Sequence, residues 1–156
     1  MVDLCMTHKI APSDLVLEKV CWKKDGCGFS LLQLVFKNGI TSPFFKTLGC
    51  DDENYITTLV KQDQPIRHIR MNMAENKYLE SLEFLAKKEN IQPEDILAKM
   101  KACRCGDEFI YDVPEGHNIV GLYGLVASNK YVAEGQEQYD FDAIRGLGFL
   151  TMKLNP

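Results

Sequence analysis

Apolar residues in this chain recur in short runs, each broken by Gly, Pro, Asn or Asp. Runs of this length, rich in β-branched and aromatic residues, predict strands. Residues 15–22 form the first run and stop at Lys23-Lys24-Asp25-Gly26. Residues 29–36 form the second and stop at Lys37-Asn38-Gly39, a strong turn signal. Residues 40–45 restart an extended segment, in which Pro43 favours a sheet edge because it cannot donate to a ladder. Further strands are expected at 55–60, 66–73 and 78–85. From Ile69 on, Ile69, Met71 and Met73 alternate with polar neighbours, the period of a half-buried strand. The β pattern resumes at 109–111, 119–126 and 144–150.

One segment breaks this pattern. Residues 93–102 begin with Pro93-Glu94-Asp95 and carry Lys99 and Lys101 near their end. Proline and acids at the start, with cations at the end, suit a helix and its dipole. A short surface helix is therefore expected there. The two most glycine-broken strands are Ile119-Val120-Gly121-Leu122-Tyr123-Gly124 and Ile144-Arg145-Gly146-Leu147-Gly148-Phe149. Glycine weakens a strand, so its recurrence marks close backbone approach or a sharp bend. A weak repeat also runs through the chain. Leu34-Val35-Phe36, Leu82-Glu83-Phe84 and Leu147-Gly148-Phe149 share a Leu-x-aromatic core, about 48 and about 65 residues apart.

Composition narrows the class. The chain has 156 residues, enough for one domain with a substantial core. Apolar residues make up 46% and charged residues 26%, ordinary for a globular protein. A net charge of −4 argues against broad nucleic-acid binding, which wants a basic face. No stretch has the length of apolar residues that a membrane span needs. The N-terminal residues lack the basic start and apolar run of a secretory signal, so a cytoplasmic protein is expected. Six cysteines are present, at irregular spacing. In a reducing compartment they are expected as thiols, and no C-x2-C pair supports a zinc site.

Catalytic chemistry finds little support. His8, His68 and His117 are scattered, and none stands in a nucleophile motif. No phosphate-binding loop or dinucleotide fingerprint occurs. Arg67, His68, Arg70, Lys87 and Lys88 read as ordinary surface charge, with His68 on the solvent side. Trp22 and the Phe44-Phe45 pair read as core. An enzyme, a cofactor and a resident metal are not expected.

The segment Gly116-His117-Asn118-Ile119-Val120-Gly121-Leu122-Tyr123-Gly124 resembles the Gly-x-Ile-Val-Gly-Phe-His-Gly segment of jacalin-like lectins. The strand at 78–84 is similar to the one that precedes it in that family, and Leu147-Gly148-Phe149-Leu150 is similar to the closing strand. The resemblance runs from about residue 29 to residue 154. It implies an all-β fold: a β-prism of three antiparallel four-stranded sheets around a pseudo-threefold axis. One such domain is expected over 14–156, with the inserted helix near 93–102 and an N-terminal arm at 1–13.

The resemblance also implies a sugar site, and here the chain departs from it. Family lectins hold sugar with a Gly-x-x-x-Asp loop before the last strand. The in-register Asp position is Arg145. The loop at 134–142 still carries Gln136, Tyr139, Asp140 and Asp142, which could rebuild a site from an amide, an aromatic and two acids. The two acids alone do not supply the oxygens that calcium wants. Two functions follow as expectations. The first is a non-catalytic, lectin-like module that binds a protein partner as a scaffold component of an intracellular assembly. The alternative is a carbohydrate-binding lectin using the rearranged 134–142 loop.

Overall fold

The computed structural model describes residues 15–74, 78–103, 106–127 and 143–154. These form ten strands: β1 (Leu17–Asp25), β2 (Gly28–Phe36), β3 (Phe45–Lys46), β4 (Ile56–Leu59), β5 (His68–Ala74), β6 (Tyr78–Leu85), β7 (Ile96–Lys101), β8 (Asp107–Asp112), β9 (His117–Ala127) and β10 (Ala143–Lys153). All pairings between these strands are antiparallel. One four-stranded sheet has the order β3-β2-β1-β4 and a second has the order β7-β6-β5-β8. Among the described residues the third sheet is the pair β10-β9. The all-β expectation holds.

The turns follow from backbone chemistry. Between β1 and β2 the chain reverses at Gly26, which adopts φ +62°. After β2, Asn38 at φ +69° and Gly39 at φ +76° close a short 3-10 turn over Lys37–Gly39. These are residue types that tolerate the left-handed region. Pro43 lies in the short connection before β3, which is an edge strand.

The helix expected over 93–102 does not form. Pro93–Asp95 is a single 3-10 turn, and Ile96–Lys101 is strand β7. Pro93 and the acids do act as start signals: Asp95 Oδ2 accepts a hydrogen bond from the Gln92 backbone N–H at 2.8 Å. The turn does not propagate because the rest of the segment is short and isolated helical turns nucleate at a cost. The edge of β6 offers an alternative: Ser81, Leu82, Glu83 and Phe84 pair with Lys101, Met100, Lys99 and Ala98. In that register Ala98 and Met100 are buried while Lys99 and Lys101 face solvent.

The core lies where the three sheets meet, with β2, β6 and β10 in mutual contact. Phe29, Phe36, Leu79, Leu82 and Phe84 are almost completely buried. Phe149 meets Phe84 edge-on, ring centroids 5.8 Å apart, a favourable quadrupole geometry. Trp22 is buried against Phe29, and its indole N–H donates to Thr58 Oγ1 at 2.9 Å. No helix of the described residues is long and apolar enough to cross a membrane.

Candidate functional site: a glycine-floored cleft

The register of β9 against β10 places glycines opposite large side chains: Gly124 faces Leu147, and Gly148 faces Tyr123. The approach is close. A Cβ built on Gly124 would lie 2.0 Å from the carbonyl oxygen of Gly146. A Cβ on Gly148 would lie 2.4 Å from the Tyr123 ring. At Gly124 only glycine fits, because the obstacle is backbone; at Gly148 the obstacle is the ring of the exposed Tyr123 side chain. A shift in register between Ile144 and Gly146 accompanies this crowding.

A cleft of about 580 Å³ runs beside β9 and β10, bounded by Gly124, Gly146 and Gly148 on one side and by Tyr111 and Asp112 of β8 on the other. Ile69 and Met71 are buried residues of its lining. β8 is the edge of its sheet, and Phe109 and Tyr111 stand opposite Met71 and Ile69 in the ladder. They continue the inner face of the sheet to its rim, which leaves Tyr111 53% exposed. Across the cleft, Tyr123 is 47% and Leu125 72% exposed. Aromatic and aliphatic groups this exposed around a concavity are the usual sign of an interaction site.

Polar groups stand beside the cleft, on the opposite face of the β5–β8 pair from Ile69 and Tyr111. The Asp112 carboxylate accepts a hydrogen bond from His68 Nδ1 at 2.8 Å, and Lys88 Nζ lies 3.3 Å away. The hydrogen bond from His68, with Lys88 second, holds the Asp112 carboxyl below the usual carboxylate value. His68 lies on the face opposite buried Ile69, as expected, where it is half-buried and engaged with Asp112. Thr151 adds a hydroxyl to the lining. Its oxygen lies 3.3 Å from His117 Nδ1.

A smaller cavity, about 250 Å³, lies between the start of β1, residues 60–66 and the start of β9. The Gln62 amide in its lining donates to the carbonyls of Leu17 and Val60 at 2.9 Å each. That amide holds the loop rather than facing a ligand. Among the described residues, no three His, Cys, Asp or Glu side chains converge to hold a metal ion.

The site residues expected from the sequence, Gln136, Tyr139, Asp140 and Asp142, lie outside the described residues, as does the arm at 1–13. Arg145, which stands in the in-register sugar position, is exposed on β10. Tyr111, Asp112 and Tyr123 were not legible as a site from the sequence. Their residue types carry no motif, and only the pairing of β5 with β8 brings Asp112 to His68. The available signal was the glycine spacing in β9 and β10, which marks the cleft but not its rim. No protein-family model, no curated protein and no solved structure matches this chain.

Proposed function

We propose that this chain is a non-catalytic binding module on a β-prism scaffold of the jacalin-like type. Its cleft engages a protein partner, as a component of an intracellular assembly. The prism reading is supported by the mutual packing of β2, β6 and β10, the three strands that carry the Leu-x-aromatic repeat. The observation that carries the binding reading is the exposed rim of Tyr111, Tyr123 and Leu125 around a glycine floor. Such a surface gives up little solvation when an apolar or aromatic anchor enters it, and aromatic anchors buried in such pockets dominate the energy at protein interfaces.

Carbohydrate is the second reading. Two exposed tyrosine rings and the Thr151 hydroxyl are groups that sugar recognition uses. The protein reading is favoured because Asp112 is already engaged by His68 and Lys88, and the rest of the lining is largely apolar.

Two measurements separate the readings. In capture from the native source, wild type is expected to retain a discrete partner that Tyr111→Ser and Leu125→Asp lose. Both side chains are exposed, so the fold should tolerate either change. In NMR titration with a panel of monosaccharides, no saturable shifts are expected at millimolar sugar. Saturable shifts confined to the cleft or the 134–142 loop, with no partner captured, would put the lectin reading first.

A further inference from the structure

A second feature stands apart from the cleft. Cys27 Sγ and Cys103 Sγ lie 2.7 Å apart, although 76 residues separate them in sequence. The two come from different sheets. Cys27 sits in the turn between β1 and β2, directly after Gly26 at φ +62°. Cys103 follows the end of β7. Each is held by its backbone surroundings. Gly26 sets the sharp reversal that carries Cys27. The backbone N–H groups of Ala102 and Cys103 both donate to the Glu80 carbonyl, at 2.9 and 3.1 Å. At the opposite end of β7, the Lys61 N–H donates to the Leu97 carbonyl at 2.9 Å, the backbone tie between the two four-stranded sheets there. The thiol contact therefore closes the end of a seam whose other end is already fastened.

We propose that Cys27 and Cys103 form a redox-active dithiol site, whose co-substrate is a small-molecule disulfide such as oxidised glutathione. Both cysteines are half-buried, which leaves them reachable by a small reagent while keeping them paired. The sulfurs need approach each other by only about 0.7 Å to reach bonding distance, a movement within reach of side-chain rotation. One thiol loses its proton, and the thiolate attacks a sulfur of the small disulfide. That forms a mixed disulfide and expels one small thiolate, which takes up a proton. The other cysteine, as thiolate, then attacks the protein sulfur of the mixed disulfide. The Cys27–Cys103 bond forms, and a second small thiol leaves. The protein dithiol is oxidised by two electrons and the small disulfide is reduced to two thiols.

The product would join two sheets covalently across a long loop, the case in which a cross-link most restricts the unfolded chain. Oxidation is thus expected to stiffen and stabilise the seam, and reduction to release it.

The test equilibrates the full chain in glutathione buffers of graded potential, followed by acid quenching, intact mass and peptide mapping under non-reducing conditions. The expected result is a protein lighter by two hydrogens, a linked peptide pair containing Cys27 and Cys103, and full reversal by dithiothreitol. The oxidised wild type should melt several degrees higher than the reduced form. Cys27→Ser and Cys103→Ser should each abolish the mass loss, whereas Cys50→Ser should leave it unchanged. Three outcomes would overturn the proposal: no mass loss in excess oxidised glutathione, glutathione adducts that never resolve to an internal bond, or a disulfide mapped through Cys5, Cys50 or Cys105. Mapping on wild type decides the question even if a serine variant does not fold.

Discussion

At the scale of single residues, two kinds of constraint dominate: backbone crowding and paired charge. Gly124 leaves no room for a methyl group, since the carbonyl of Gly146 occupies the place of a Cβ. Gly124→Ala is expected to destabilise the fold by about 1–3 kcal/mol, the range for overpacking a closely fitted site. Urea unfolding should show it as a lower midpoint at unchanged slope. Gly116→Ala is a useful contrast, because nothing lies near its Cβ position and only its φ of +77° resists the change. The charge constraint is pH-dependent. His68 and Lys88 hold the Asp112 carboxyl below its ordinary value, and the Lys23 ammonium does the same for Asp51, its salt-bridge partner. A depressed folded value means that each pair's contribution is present above the unfolded carboxyl value. It is lost as pH falls through the folded value. Stability of the wild type should therefore decline as pH drops below about 4, the unperturbed Asp value. Asp112→Asn should flatten that decline, as read from melting temperatures across an acid series. Both carboxylates are exposed, so the effect should be small and should shrink further in high salt.

At the scale of elements, the 93–101 segment shows how a local signal and its surroundings divide the outcome. Asp95 caps the 3-10 turn and is buried, with Lys87 Nζ 3.4 Å from its carboxylate. Asp95→Ala is expected to cost about 1 kcal/mol, the usual loss for a removed cap, measurable by denaturant titration. The start signal in the sequence was correct in kind, since Pro93 and Asp95 do begin a turn. What the chain alone did not disclose was the open edge of β6, which takes up Ile96–Lys101 as a strand. The helix and strand patterns of Leu97, Ala98 and Met100 are too similar over so few residues to be told apart locally. Elsewhere the strands were legible because their limits carry chemistry. Residues 78–85 and β6 coincide, and residues 29–36 differ from β2 by one residue at the start. The glycines of β9 and β10 were legible as close backbone approach, which Gly124 bears out, whereas Gly148 meets the Tyr123 side chain and Gly146 is open. The rim of the cleft was not, because exposed Tyr111 and Tyr123 become a site only when separate strands are placed side by side.

At the scale of the whole molecule, three sheets bury one core through β2, β6 and β10, and the glycine-broken pair β9–β10 leaves a cleft beside β8. The central claim is that this cleft binds a protein partner. The most direct measurement places a photo-crosslinking amino acid at position 125 and, in a second protein, at position 48, followed by irradiation in an extract of the native source. Leu125 and Leu48 are similarly exposed, 72% and 64%, but only Leu125 lines the cleft. The prediction is a discrete intermolecular adduct from position 125, absent from position 48 and suppressed by Tyr111→Ser. Equal labelling at both positions, no adduct at 125, or a cross-link from 125 only to residues 128–142 of the same chain would contradict it.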